Sequence, residues 1–562
     1  MTQDLPGLDP ALAERFAAIV GARYAVRAEA DIEPYVHEPR GLFAGVTSLV
    51  LRPGSVAEVS AIMKLASETR TPIVPQGGNT GLVGGQVPDR SGGQVVLSLS
   101  RLNRIREIDP VSNTVIAEAG VVLDVLHKAA DEVDRLYPLS LASQGSCQIG
   151  GNLSSNAGGT GVVAYGNARE LCLGVEVVLP TGEVFDDLRK LKKDNTGYDL
   201  KNLFVGAEGT LGVITAAVLK LYPKPKGREV AWVGLPSAEA ALALFNTAQE
   251  LGGGALTAFE LIGRTPMSFA MRHIPDARPP LSGDWAWEVL MEISSGRSAE
   301  DARTLMEDIL SAGFEADQVG DAVIAASLGQ ANEFWRLREM LPESQKPEGA
   351  SIKHDISVPI ASIPAFIERA AVVVAGVCAE ARVVCFGHMG DGNLHYNISQ
   401  PAGMEAAAFL ALYRDMNKAV HDVVRSMNGS ISAEHGIGQL KRDELIATAP
   451  PHAIELMRRV KSAFDPAGIM NPARRFERLW WHSDNHRRDQ QNLTEFLKRG
   501  GKEAPLVSFP TRPENWSGET GNRLSGDNRK AQYEHRTEAS LGGTQHAPRP
   551  VPLAADGQLR HA

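Results

Sequence analysis

Apolar positions recur along this chain at two spacings, and segments of the two kinds alternate over most of its length. Residues 56–70 place Val56, Val59, Ile62, Met63 and Ala66 at steps of three and four, which predicts an amphipathic helix. Short β-rich runs surround it at 47–53, 71–75, 94–102 and 114–120, and further strands are predicted over 173–185 and 210–222. The Pro-Lys-Pro at 223–225 is a natural boundary, because proline removes a backbone donor and resists continuation of a strand. Beyond it, helical runs at 237–251 and 298–312 alternate with strands such as 285–293. A last helix at about 450–464 is stopped by Asp465-Pro466 and then Asn471-Pro472. The pattern predicts an α+β architecture with a first domain over 1–224, a second over 225–475, and a tail over 476–562. That tail is rich in Gly, Pro, Asn, Arg and Gln and poor in apolar residues, so it is expected to stay disordered, with Trp480 and Trp481 docking near its start.

Length supports two cores, since 562 residues with 43% hydrophobic content exceed what one core holds. A net charge of -10 and the lack of any long Lys/Arg block argue against nucleic-acid binding. No stretch reads as the ~18 apolar residues of a membrane helix, and residues 1–6 lack signal-peptide character, so a cytoplasmic location is expected. Cys147, Cys172, Cys378 and Cys385 form no C-x-x-C or iron–sulfur spacing and read as isolated thiols.

The chemistry begins at Pro75-Gln-Gly-Gly-Asn-Thr-Gly-Leu-Val-Gly-Gly85, which follows a predicted strand and offers a row of unobstructed backbone N–H groups suited to a pyrophosphate. It has neither the G-x-G-x-x-G spacing nor a Walker ending, and by itself it also fits an ordinary glycine-rich turn. Two more segments, 145–159 and 194–214, pair glycines with Asn, Ser and Thr in the same way. Three such segments imply a long polar ligand.

From about Leu42 to Tyr222 these segments resemble the FAD-binding domain of the vanillyl-alcohol-oxidase and p-cresol-methylhydroxylase (PCMH) flavoproteins, a two-subdomain fold. The resemblance implies that Gln76, Gly77, Gly78, Asn79, Thr80, Gly81 and Leu82 grip the pyrophosphate. It sets Ser146, Gly150, Asn152, Ser155, Gly158, Gly161 and Val162 along the isoalloxazine and ribityl chain. It also puts Glu208, Gly209 and Ile214 near the adenosine half, and adds Asn471 to the cofactor contacts. Residues 71–90 contain no His or Cys for a covalent flavin link, so non-covalent FAD is expected.

In the second half, Gly387-His-Met-Gly-Asp-Gly-Asn-Leu-His-Tyr-Asn397 carries His388 and His395 on either side of a glycine turn, and Ser432-Ala-Glu-His-Gly-Ile-Gly438 sets Glu434 beside His435. Two imidazoles and a carboxylate can ligate Zn²⁺, Mn²⁺ or Fe²⁺, although such residues serve packing or hydrogen bonding as readily. The paired motifs resemble those of FAD-linked D-lactate and D-2-hydroxyglutarate dehydrogenases, with a likeness running from about Glu229 to Arg475. On that likeness the second domain is a substrate (cap) domain with C-terminal helices. His388, His395 and Glu434 become ligands of a divalent metal, zinc being expected, and His435 the catalytic base. Arg338, in an apolar run, and Lys353 would hold a substrate carboxylate with help from Asn397, whereas a structural ion pair with Glu339 or Asp355 would also explain a cation there. Where D-2-hydroxyglutarate dehydrogenases have Thr four residues after the Arg, this chain has Pro342.

The resemblance thus implies oxidation of a small D-2-hydroxy acid, of the D-lactate or D-2-hydroxyglutarate class, to the 2-oxo acid. Electrons would pass to a quinone, an electron-transfer flavoprotein or a cytochrome rather than to NAD, and a homodimer is a candidate assembly. A non-redox transferase resembling alkyl-dihydroxyacetone-phosphate synthase leaves the H-x-G-D-G-N-x-H element without a use, and an O2-using alcohol oxidase would need no metal.

Overall fold

The computed structural model describes residues 7–472, so the tail at 476–562, including Trp480 and Trp481, lies outside the described residues. The first half opens with a four-stranded sheet in the order Ala25–Val26, Val50–Leu51, Val95–Ser98, Ile73–Gln76, its last three strands parallel. The run expected over 47–53 forms a strand only at Val50–Leu51, with one isolated bridge from Thr47 to Gly92, and Pro53, which cannot donate to a ladder, ends it. Ser55 then caps helix Val56–Thr69: its hydroxyl accepts the Glu58 N–H at 3.2 Å, while the Glu58 carboxylate accepts the Gly54 N–H at 2.7 Å. Val59, Ile62, Met63 and Ala66 face inward, as their spacing predicts. The first glycine loop leaves the carboxyl end of strand Ile73–Gln76, the edge at which open parallel sheets place their ligands.

An antiparallel five-stranded sheet follows, ordered Ile105–Asp109, Thr114–Glu118, Val213–Lys220, Cys172–Val178, Val184–Asp187. The run read as one strand over 173–185 is a hairpin; Pro180-Thr-Gly182 turns it, and Val177 pairs with Phe185. Helix Ile149–Ser155 carries the second glycine segment.

The second half is built on an antiparallel sheet ordered Asp321–Ile324, Gly227–Leu235, Trp287–Ser295, Leu256–Gly263, Arg382–His388, Asn393–Ser399, Ser351–Ile352, with Asp355–Ser357 also paired to Asn393–Ser399. Alternation in strand Gly227–Leu235 explains why both faces are covered. Ala231, Val233 and Leu235 meet Leu244, Phe245, Met306 and Phe366 on one side, while Val230 and Trp232 meet Phe269 and Phe334 on the other. Each fully buried aromatic or leucine contributes roughly 1.5–3 kcal/mol by leaving water.

One expectation needs correction: helix Ile360–Val377 is long and apolar enough, by length and composition, to cross a membrane. It carries Glu368 and Arg369, and packs Ile363, Phe366, Ala370 and Val374 into the sheet's core, while Val372 is exposed. Cys147, Cys172 and Cys385 are buried, Cys378 is half-buried, and all four are free thiols.

Candidate active site

Sheet register assembles the site. Residues directly opposite in an antiparallel pair point to the same face. Glu260 stands opposite His388, Phe386 opposite His395, His395 opposite Asp355, and Val384 opposite Asn397. One face thereby collects two carboxylates, two imidazoles and an amide. Leu394, Tyr396 and Ile398, which alternate with His395 and Asn397, go to the core on the other face. Between the two histidines the chain reverses through Met389–Asp391 and Gly392, whose φ of 85° suits glycine.

The loop 432–438 brings Glu434 over this face. His388 Nε2 is 3.7 Å from Glu434 Oε1, His395 Nε2 is 4.0 Å from Oε2, and the three groups offer ligand atoms all within 4.8 Å of one another. A cation about 2.0–2.2 Å from each donor admits pairs up to about 4.4 Å apart, which the 3.7 and 4.0 Å His–Glu pairs satisfy. The far side of His388 is also fixed. Its Nδ1 lies 2.7 Å from Glu260 Oε1, and Glu260 Oε2 accepts Arg338 Nε at 2.9 Å and pairs with Nη2 at 2.6 Å. Arg338 is 5% exposed, its guanidinium over the Phe386 ring, so its observed partner is Glu260 rather than Glu339 or Asp355. Burial alone would raise the Glu260 carboxyl, but His388 and Arg338 outweigh it and hold it at about 2. Burial lowers His395 to about 3, which leaves its imidazole neutral, whereas at His388 burial is outweighed by the Glu260 charge and the imidazole rises to about 9.

Asp355 organises the other edge. Its Oδ2 accepts the backbone N–H of Glu434 at 3.0 Å and of His435 at 2.9 Å and lies 3.3 Å from His435 Nδ1, while Oδ1 accepts Asn393 Nδ2 at 3.0 Å. Burial depresses the His435 pKa, opposed by the Asp355 charge. Lys353 Nζ and Asn397 Nδ2 both donate to Gln345 Oε1, at 2.5 and 3.2 Å. Lys353 keeps an exposed surface, yet the surrounding protein and then the Arg40 charge bring its pKa down to about 8.

A long cavity runs beside this cluster, lined by Gln76, Gly77, Gly78, Asn79, Thr80 and Gly81, by Gly150, Asn152 and Ser155, and by Glu208, Gly209 and Ile214. His435 lines the same cavity. Here the loops approach so closely that a Cβ on Gly78 would stand 2.0 Å from Ser146 O. The polar side chains brace the wall: Gln76 Nε2 donates to Tyr35 O at 2.8 Å and Gln86 O at 2.9 Å, and Asn79 Nδ2 to Pro34 O at 2.9 Å and His37 O at 2.8 Å. Backbone N–H groups are left to face a ligand.

Comparison with known proteins agrees with both halves. Residues 47–187 match the family described as FAD binding domain, and residues 224–474 match FAD linked oxidases, C-terminal domain. The mitochondrial D-2-hydroxyglutarate dehydrogenase of Arabidopsis thaliana is 36% identical over 458 residues, 81% of this chain and 80% of that protein. The D-2-hydroxyglutarate dehydrogenase of Stutzerimonas stutzeri (strain A1501) is 35% identical over 470 residues, 83% of this chain and 99% of the relative. The chain belongs to the FAD-linked D-2-hydroxyacid dehydrogenases. As a member of this family it is an FAD-dependent oxidoreductase acting on a CH–OH group. Two solved structures, an alkyldihydroxyacetonephosphate synthase and p-cresol methylhydroxylase with substrate bound, each superpose with a TM-score of 0.65 at 18% identity. They cover 84% and 83% of this chain, and 86% and 97% of their own. At that identity they show the fold shared with this dehydrogenase.

Several residues that the resemblance implies for the cofactor lie outside the cavity lining. Leu82 O accepts Arg40 Nη2, and Ser146 O abuts Gly78. A Cβ on Gly158 would stand 3.2 Å from Glu434 Oε1, and one on Gly161 would stand 3.0 Å from Pro138 O. Val162 begins helix Val162–Tyr165, and Asn471 Nδ2 donates to Gly85 O at 3.0 Å and Glu208 O at 2.8 Å. Conversely, the dehydrogenase has site residues that motif reading overlooks: Gln148 and Gly151 in the cavity wall, Gln345 between Lys353 and Asn397, and Glu260 behind His388. Glu260 had a signal, a single charged residue inside the otherwise uncharged strand Leu256–Gly263.

Proposed function

We propose that this chain oxidises D-2-hydroxyglutarate, or a closely related D-2-hydroxy acid, to the 2-oxo acid, with non-covalent FAD and a divalent metal, zinc first, at His388, His395 and Glu434. The observation that carries the reading is that His435 lines the flavin cavity while its chain neighbour Glu434 joins His388 and His395 in the ligand cluster. The substrate is that of the relatives at 35–37% identity.

Bound FAD supplies the two-electron acceptor and a bound divalent cation the Lewis acidity that lowers the substrate hydroxyl's pKa. The rest falls to the chain. With His435 Nδ1 turned to Asp355 at 3.3 Å, Nε2 is the nitrogen left to take the hydroxyl proton, and Asp355 stabilises the imidazolium that results. Glu260 fixes the His388 ring so that Nε2 faces the cluster, as carboxylates behind ligating imidazoles do. Lys353 and Asn397, joined through Gln345, hold a carboxylate of the substrate, while Arg338 pairs its charge with Glu260 and acts through it on His388. Pro342 offers no hydroxyl, so the distal carboxylate depends on Lys353 and Asn397. A quinone, an electron-transfer flavoprotein or a cytochrome would take up the electrons that FAD, when bound, accepts, in the cytoplasm.

Anaerobic stopped-flow mixing with paired D- and L-2-hydroxy acids tests the reading. D-2-Hydroxyglutarate should bleach the flavin within seconds while the L form leaves it oxidised; bleaching by neither D-2-hydroxyglutarate nor D-lactate would refute it.

A further inference from the structure

Five residues, Glu434 to Gly438, carry the carboxylate of the ligand cluster and the base, and their backbone is held by two other carboxylates. Asp355, on the large sheet, accepts the N–H groups of Glu434 and His435. Glu208, from the first half of the chain, accepts the next pair: Ile437 N–H on Oε1 and Gly438 N–H on Oε2, each at 2.8 Å. Glu208 is itself gripped. Its N–H donates to Ser154 O, in the helix lining the flavin cavity, at 2.8 Å, and its carbonyl accepts Asn471 Nδ2 at 2.8 Å. Its φ of 53° is left-handed, an arrangement that a non-glycine residue keeps only where its surroundings enforce it. Beside this hub, Gln439 N–H and Nε2 donate to Val83 O and Gly84 O, at 2.8 and 2.9 Å, at the end of the first glycine loop.

We infer that Glu208 is a positioning residue: it ties the catalytic loop to the wall of the flavin cavity, so that His435 and Glu434 stand at a fixed distance from the flavin-binding half. The inference rests on the reading of His435 as base. Two charge-assisted hydrogen bonds to adjacent N–H groups fix a loop more firmly than one neutral bond, and both oxygens of Glu208 are used. A carboxamide of the same size keeps one accepting oxygen, whereas a methyl group keeps none.

The test measures E208A, E208Q and H435N as FAD-loaded full-length proteins, with FAD content, zinc content and the limiting rate of flavin reduction per bound FAD. E208A should retain FAD and zinc, lose about 10–100-fold in limiting rate, as partners behind ligands do, and keep its half-saturating substrate concentration. E208Q should fall between E208A and the native protein, and it decides the matter if E208A does not fold. Native rates per bound FAD in E208A and E208Q, beside a slow H435N, would overturn the latch alone, and so would loss of FAD as their only defect. A native rate in H435N would overturn the reading of the base instead.

Discussion

The flavin cavity and the ligand cluster meet at the chain neighbours His435 and Glu434 but are made of different material. The cavity wall is backbone: glycine loops brought so close that the Gly78–Ser146 approach leaves no room for a methyl group, with Gln76 and Asn79 turned away to brace them. The cluster is side chain: His388, His395, Glu434 and Asp355 come from separate strands and a loop, with Glu260 on the His388 ring and Asp355 on the Glu434 backbone. Adding an atom should therefore damage the first region, and removing one the second.

Gly78→Val sharpens that contrast most. Its side chain cannot fit against Ser146, so the purified protein should lack the flavin absorbance near 450 nm and all turnover, yet hold zinc by elemental analysis at the native ratio. Coordinated loss of FAD and zinc would mean that the two regions are not separable. His435→Asn comes next: about 10²–10⁴-fold slower flavin reduction with FAD and zinc retained, the range expected for loss of a general base. Glu260→Gln should cost about 10–100-fold in zinc affinity or activity, read by metal-buffer titration, because His388 loses its orienting charge. The smallest effect concerns pH. Lys353 is cationic below its pKa of about 8 and neutral above it, so KM for the substrate should rise as pH climbs through 8. In Lys353→Arg the cation persists, and that rise in KM should be absent.

Legibility in the sequence followed the same divide. Helices at 56–69, 238–252, 299–315 and 451–464 were visible because apolar spacing and a serine, proline or glycine stop mark each of them locally. The hairpin at 172–187 hid inside one apolar run, since a tight turn of three residues barely interrupts the pattern. The glycine loops and the two histidine motifs are contiguous and so can be read from the chain directly. Glu260 cannot, because only the register that sets it opposite His388, across 128 residues of chain, gives it a role. For the same reason the partner of Arg338 was not foreseeable: that arginine lies on helix Leu328–Glu339, and its carboxylate on a strand nearly eighty residues earlier.

Stripping the metal while keeping the flavin tests the central claim most directly. After dialysis against a strong chelator, the FAD-loaded protein should stay yellow on anaerobic addition of D-2-hydroxyglutarate, and one equivalent of zinc should restore bleaching. Bleaching at the native rate by the metal-free, FAD-loaded protein would contradict the account.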